Sequence, residues 1–161
     1  MDDSLFVFYE TIQISVCPIV SIADITREKK KKEETMPLVK LHVADDLPRN
    51  SERRLLEDIR SVLIDTLSID PEHGHAILYP SETSHRVCHQ SRDGRFVFVE
   101  IALFSGRTDE MKAKLFREIS RTVHRHTGVD ESDIIIYLVE GDRGNWASRG
   151  GVPISTIDLG Y

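Results

Sequence analysis

The residue with the most distinctive chemistry in this sequence is Pro37, which follows Met36 and begins an apolar, strand-like run. If Met36 is removed, the Pro37 nitrogen becomes a secondary amine, and α-amino groups have pKa values of about 7.7–8.0. A base that titrates near neutral pH is efficient in general acid–base catalysis. While Pro37 is acylated by the preceding residue, its nitrogen has no N–H and no available lone pair. Pro37 would then only begin a strand.

Two histidine clusters have the residue types of a zinc site, namely His73-x-His75 and the run from His85 to His89, which includes Cys88. A structural zinc site needs four ligands at recognisable spacings. These spacings supply no complete set, so we expect no metal. The glycines between residues 141 and 151 follow a strand but open no helix, so we expect no phosphate cradle either.

Length, charge and cysteine content indicate a cytoplasmic globular protein. The 161 residues are enough for one domain with a real core, and the net charge of −6 argues against a nucleic-acid partner. The two cysteines, Cys17 and Cys88, are too few for a disulfide framework. The apolar stretch 5–20 is too short and too polar to span a bilayer, which needs about 20 apolar residues. Asp2 and Asp3 stand where a signal peptide carries positive charge, so we expect no membrane partner.

Residues 1–35 are predicted to lie outside the working domain. The charged run 27–35 has no core-forming pattern, which is typical of a disordered linker. Residues 32–36 can also be encoded as AAG-GAG-GAR-ACN-ATG, which contains the purine-rich sequence of a bacterial ribosome-binding site just before an ATG codon. We therefore expect residues 1–35 to be a translated leader or a disordered extension, and residues 37–161 to form the functional domain.

From residue 37 onward the sequence matches itself at a shift of about 60 residues, without gaps. Asp70 falls on Asp130, for example, and the apolar positions keep their register. The two halves, about 37–80 and 96–140, each show the pattern strand, helix, strand. A C-terminal arm, 141–161, follows the second half.

Both predicted helices have apolar residues at i, i+3, i+4 and i+7, which is one helical face. Pro48 with Asn50 and Ser51 indicates the start of the first helix, Thr108 caps the second, and Gly128 ends it. The predicted elements are strands at 38–43, 76–79, 96–104 and 134–139, and helices at about 52–67 and 109–127.

Two β-α-β units with right-handed crossovers predict an α/β (α+β) fold, in which a four-stranded sheet carries both helices on one face. The other face of the sheet would then be uncovered. Its apolar side chains need a partner, so the pattern predicts an oligomer.

Residues 98–112, FVEIALFSGRTDEMK, resemble the start of 4-oxalocrotonate tautomerase, with its Gly-Arg-Ser/Thr-Asp-Glu-x-Lys helix entry. The start MPLVK at 36–40 and the tail NWASRGG at 145–151 resemble the longer, fused members of the tautomerase superfamily, such as malonate semialdehyde decarboxylase. The resemblance covers residues 37–161. It implies a tautomerase/MIF-like trimer of β-α-β-β-α-β subunits, with an amino-terminal proline as catalytic base or acid and no cofactor.

The resemblance also implies roles for single residues. Pro37 would be the catalytic base, and Arg107 matches the carboxylate-binding arginine of the family; its alternative is a solvated loop arginine. His75 aligns, through the repeat, with a second arginine of the single-unit tautomerases; it could polarise a substrate carbonyl or be only a histidine at the edge of a strand. Trp146 would be an aromatic wall or an interface residue, and Asn145 would contact substrate or hold a turn.

His73 is a further substrate-binding candidate, and it marks a departure from the decarboxylases. It falls where they carry an aspartate, and Ser105 falls where they carry another arginine. Both departures favour tautomerisation, in which the enol and keto forms of a 2-oxo acid interconvert. Two alternatives remain. One is a non-catalytic oligomeric protein, favoured if Met1 is the true start; the other is hydration or decarboxylation at the same proline.

We predict that protein made from the native gene begins at Pro37, because the codons before Met36 can form a ribosome-binding site and the resemblance begins at the proline. Intact-protein mass spectrometry of natively expressed material measures this directly. A mass equal to the full 161 residues would contradict the prediction.

Overall fold

The computed structural model describes residues 37–92, 94–148 and 150–156, so the extension predicted at residues 1–35 lies outside the described residues. The main elements follow the predicted order of strand, helix and strand, repeated once. They are β1 (Leu38–Ala44), α1 (Arg49–Leu67), β2 (His75–Ser81), β3 (Val97–Phe104), α2 (Asp109–Thr127) and β4 (Ile134–Gly141). In the C-terminal arm, the short strands β5 (Ala147–Ser148) and β6 (Val152–Pro153) pair antiparallel.

The main sheet has the strand order β2-β1-β3-β4. Strands are parallel within each half, and the central strands β1 and β3 are antiparallel; Leu38 pairs with His75 on one side and with Ala102 on the other. The predicted sheet of two β-α-β units is therefore confirmed. Because β1 and β3 run antiparallel, equivalent positions of the two repeat halves lie at opposite ends of the sheet.

The start of α1 differs from the prediction that Asn50 and Ser51 cap the helix. Pro48 occupies the N-cap position with an extended backbone, φ −62° and ψ 137°, and no side-chain capping bond. Its carbonyl accepts the first backbone bonds, from Ser51 at 2.8 Å and Glu52 at 3.1 Å. The proline ring fixes φ near this value, so the backbone alone can start the helix without a polar side chain.

Helix α2 begins and ends as the sequence predicts. The Thr108 hydroxyl accepts a hydrogen bond from the Met111 N–H at 3.3 Å. At the other end, Gly128 adopts a left-handed conformation with φ 70°, and its N–H donates to the His124 carbonyl at 2.8 Å. This is the usual glycine ending of a helix. Within the described residues, neither helix is long and apolar enough to cross a membrane.

The hydrophobic core lies between the sheet and the two helices. Alternate residues of the central strands point into it and are at most 1% exposed: Val39, Leu41, Val43, Val97, Val99, Ile101 and Leu103. The helices contribute fully buried residues from their predicted stripes: Leu55, Ile59, Leu63, Leu115, Ile119 and Val123. Burying each such side chain contributes about 1.5–3 kcal/mol, so the sheet is a rigid support for the residues at its ends.

The opposite face of the sheet carries apolar side chains that no element in the described part of the chain covers. It exposes several large side chains by 37–56%: Ile77, Tyr79, Ile135, Tyr137 and Val139. At its centre, Lys40 pairs with Glu100 at 3.1 Å, and the His42 ring stacks on Tyr79 with centroids 5.0 Å apart. The prediction that a partner covers this face rests on these exposed residues.

Candidate active site

The strand directions bring the three predicted catalytic residues to one end of the sheet. Pro37 directly precedes β1, and His75 is the first residue of β2, the parallel neighbour of β1. Strand β3 runs antiparallel to β1, so its carboxyl end lies at the same edge. Arg107 follows that end, three residues after Phe104. Residues from both repeat halves therefore meet at one edge.

Pro37 is buried, and its carbonyl accepts a hydrogen bond from the His75 N–H at 2.9 Å. The ring lies against the turn before β2: a Cβ built on Gly74 would be 3.8 Å from Pro37 Cγ. The same position would be 3.4 Å from Ile69 Cδ1 and 3.9 Å from Leu63 Cδ1, so two core side chains also lie close to Gly74. These contacts fix the position of Pro37 at the start of β1.

Arg107 is only 8% exposed, which shows that it is not a solvated loop arginine. Gly106 before it has a φ of 115°, a conformation that side chains other than glycine rarely adopt, and this lets the chain turn away from β3. The Ser105 N–H donates to the Gly141 carbonyl at 3.1 Å, which fixes the turn to the end of β4. A guanidinium stays charged and presents a fork of donors that matches a carboxylate.

An ion pair that sequence reasoning missed also ties this turn to β4. Lys112 Nζ lies 2.6 Å from Glu140 Oε2, and the two side chains are 22% and 26% exposed. Lys112 is in the first turn of α2, and Glu140 directly precedes Gly141. The pair therefore spans the turn that carries Arg107. Lys112 belongs to the recognised helix-entry motif, but Glu140 is 28 residues away and has no local signal.

The first turn of α2 has its own electrostatic support. Hydrogen bonds from the backbone N–H of Glu110 and from the Thr108 hydroxyl hold the pKa of the Glu110 carboxyl below its usual range. A carboxylate that stays ionised at a helix N-terminus interacts favourably with the helix dipole. Helix α2, which follows Arg107, therefore has its first residue fixed at Asp109.

Trp146 follows a short 3-10 helix (Arg143–Asn145) beyond β4 and packs against the end of β3. Its ring meets Phe104 edge-to-face, with centroids 5.3 Å apart. Its carbonyl accepts a hydrogen bond from the Ile154 N–H at 2.8 Å, which links it to the C-terminal arm. Trp146 therefore packs at the end of the sheet where Arg107 lies. Phe104, interpreted from the sequence only as a strand residue, supports the Trp146 ring.

The remaining candidates lie at the border of the site. His75 is exposed, and because side chains alternate along a strand it shares the uncovered sheet face with Ile77. His73 is half-buried in the turn before β2, where its N–H donates to the Asp70 carbonyl at 2.9 Å. Asn145 is exposed. In the part of the chain that the structure describes, no group of three or more His, Cys, Asp or Glu residues is placed to hold a metal ion.

A sheet of two β-α-β units, with a buried proline before its first strand and a buried arginine beyond its third, has the architecture of the tautomerase superfamily. Residues 73–149 match the family described as Tautomerase enzyme. The 2-hydroxymuconate tautomerase of Bacillus subtilis (strain 168) is 30% identical over 53 residues, which cover 33% of this chain and 86% of that protein. The chain belongs to the tautomerase superfamily.

Two longer similarities extend over both halves of the repeat. "Probable tautomerase YrdN" of Bacillus subtilis (strain 168) is 20% identical over 117 residues, 70% of this chain and 90% of that protein. A solved structure described as the symmetric trimer of wild-type fused 4-OT W0 matches with a TM-score of 0.70 and 19% identity, over 74% of this chain and 99% of that one. This chain therefore shares nearly the whole fold of the fused 4-OT structure.

Replacing Lys112 with methionine should destabilise the protein by about 1–3 kcal/mol, because the half-buried Glu140 side chain would lose its cationic partner. Urea unfolding measures the decrease in the free energy of unfolding. The matched control is Arg53→Met, which breaks the exposed Arg53–Glu57 pair and should cost less than about 1 kcal/mol. Equal losses for the two variants would show that the Lys112–Glu140 pair does not hold the turn.

Proposed function

We propose that this protein is a cofactor-independent tautomerase that interconverts the enol and keto forms of a 2-oxo acid. The observation that carries the proposal is that Pro37 and Arg107 are both buried at the same end of the sheet. One supplies a nitrogen base and the other a cation that fits a carboxylate. Membership of the tautomerase superfamily supports the reaction class.

In the proposed reaction, the free nitrogen of Pro37 takes the proton from the enol hydroxyl. The electrons of the broken O–H bond form the carbonyl, and the former C=C pair takes a proton from the prolinium nitrogen. One O–H bond breaks and one C–H bond forms, with no change of oxidation state and no co-reactant. The requirement is that the Pro37 nitrogen be free, because an acylated proline cannot carry the proton.

Arg107 holds the substrate carboxylate through two charge-assisted hydrogen bonds, which orients the carbon that is protonated. His75, or a water molecule, takes up the charge that develops on the keto oxygen. Trp146 forms an apolar wall, and Asn145 and His73 contact the substrate at the border of the site. The preferred probes are 2-hydroxymuconate, for which one relative is named, and phenylenolpyruvate.

We also propose that the working protein is a cytoplasmic homotrimer. The uncovered sheet face exposes large apolar side chains on both edge strands, and such a face needs a partner. A structure with the same fold is described as a symmetric trimer. Three sheets that face a common axis would bury these side chains, together with the Lys40–Glu100 pair at the centre of each face.

Two forms of the protein test the catalytic role of Pro37: one that begins at Met1 and one that begins at Pro37. Both should fold, because the core formed by the described part of the chain lies after residue 37. Only the second should catalyse ketonisation of 2-hydroxymuconate or phenylenolpyruvate. General acid–base catalysis contributes roughly 10²–10⁴-fold, so the form that begins at Met1 should be slower by at least that order.

Two variants of the form that begins at Pro37 test the separate roles of Arg107 and Pro37. Arg107→Ala should raise KM and lower kcat, because the carboxylate is no longer oriented; Arg117→Ala, an exposed arginine of α2, is its control. Pro37→Ala should lower the activity less than acylation of Pro37 does, since a primary amine remains at the terminus.

Equal activity of the form that begins at Met1 and the form that begins at Pro37 would show that Pro37 is not the base. If neither form acts on any 2-oxo acid, a non-catalytic oligomeric role becomes the better explanation.

Sedimentation of the form that begins at Pro37 should give the mass of three subunits. Ile135→Arg places a charge on the uncovered face and should dissociate the assembly, because burying an unpaired charge is costly. Val87→Arg is the control, since Val87 is 95% exposed. A stable monomer or a defined dimer at micromolar concentration would contradict the trimer.

A further inference from the structure

We propose that Gly74 and Arg60 are positioning residues for Pro37, and that they hold the main chain against which the proline ring lies. The inference rests on the proposed function, in which the Pro37 nitrogen moves the proton. Neither residue would touch the substrate. Both act on the turn before β2, defined here as residues 70–74.

Gly74 is buried and has a φ of 86°, which a residue with a side chain adopts only under strain. This conformation places the Gly74 backbone beside the ring, where an added Cβ would lie 3.8 Å from Pro37 Cγ. The next N–H, that of His75, then donates to the Pro37 carbonyl at 2.9 Å. The ring and the carbonyl of Pro37 thus contact two consecutive residues of the same segment.

Arg60 holds this segment from the helix side. Its Nε donates to the Gly74 carbonyl at 3.2 Å, and its Nη2 donates to the Pro71 carbonyl. One planar guanidinium therefore binds both ends of the turn and joins it to α1. Because Arg offers several donors in a fixed fork, it can fix two carbonyls at once, which a lysine ammonium does less well.

The internal repeat provides a comparison within the same chain. Asp70 makes a turn in which its carboxylate accepts from the Glu72 N–H at 2.9 Å. Asp130 makes the same turn in the second half, accepting from the Ser132 N–H at 2.8 Å. The two turns therefore share this local hydrogen bond. Any difference between the two halves in the residues that follow the turns is not imposed by the turns themselves.

The two halves differ where the turn meets the following strand. The second-half counterpart of Gly74 is Ile134, with an ordinary φ of −101°, and it pairs with Val97, the counterpart of Pro37. The counterpart of Arg60 is Ser120, which donates to a glutamate side chain instead. The glycine and the arginine thus occur in the half that carries the proline.

This arrangement has a mechanistic consequence. Proton transfer needs the nitrogen lone pair to point at the reacting carbon, and a misplacement of about 1 Å can cost on the order of 10²-fold in rate. A chain terminus has no preceding residue to restrain it. Contacts to the ring and to the carbonyl of Pro37 therefore replace that restraint in the form that begins at Pro37.

The first test is Gly74→Ala in the form that begins at Pro37, with Gly128→Ala as its matched control. Both glycines have a positive φ, 86° and 70°, so both alanines introduce backbone strain, but Gly128 has nothing within 4 Å of an added Cβ. We expect Gly74→Ala to lower kcat by about 10- to 100-fold with KM nearly unchanged. Gly128→Ala should lower thermal stability to a similar extent and leave kcat intact.

The second test removes the guanidinium without changing the strained glycine, which keeps the proposal testable if Gly74→Ala does not fold. Arg60→Met should lower kcat, Arg60→Lys should restore part of it, and Arg53→Met, on the exposed face of the same helix, should change nothing. Equal kcat for Arg60→Met and Arg53→Met would overturn the role of Arg60.

A readout that does not depend on activity separates this inference from the proposed function. The ¹⁵N resonance of the Pro37 amine, followed by NMR against pH, reports the surroundings of the nitrogen. We expect its titration midpoint to shift in Gly74→Ala and in Arg60→Met but not in Gly128→Ala. An unshifted midpoint in both test variants would overturn the positioning role. Absence of any 2-oxo acid turnover with a shifted midpoint would refute only the proposed function.

Discussion

The antiparallel pairing of β1 with β3 is the constraint on which the candidate site depends. It sets Leu38 opposite Ala102, so the start of the first repeat half lies beside the end of the third strand. For this reason Pro37 and Arg107 lie at the same end of the sheet. Had the central strands been parallel, the proline would lie beside the amino end of β3, at the opposite end of that strand from the arginine.

Because β1 and β3 are antiparallel, the repeat-equivalent positions of the candidate site lie at the opposite end of the sheet, where the two ends can be compared within one chain. There the counterparts of Pro37 and Arg107 are Val97 and Leu47. The end is closed by structural contacts: Arg95 pairs with Asp46 at 2.8 Å, and Arg86 stacks on Phe96 at 4.5 Å from the ring centroid. Burial lowers the pKa of Arg86, which reflects the cost of desolvating that guanidinium. One end of the sheet thus carries the candidate site residues, and the other end is closed by these structural contacts.

Much of the fold followed from periodicity, because a core-facing stripe on a helix and alternation on a strand are local patterns. Leu115, Ile119 and Val123 lie where their spacing predicts, and Thr108 and Gly128 bound α2 through contacts within a single turn. The predicted start of α1 was wrong because Pro48 begins the helix by its backbone, whereas the prediction assigned the cap to the polar side chains of Asn50 and Ser51. A preference for polar caps describes an average and does not exclude a proline at the N-cap.

The sequence by itself determined the residue types of the site, the order of the elements, and the resemblance to a family, since all three are properties of neighbouring residues and their spacing. Only the tertiary structure decided that Arg107 is buried, that Lys112 pairs with Glu140, and that Gly74 lies against the Pro37 ring. Each of these contacts joins segments far apart in the chain. Their existence depends on strand order and on the packing of helices against the sheet, which no local pattern encodes.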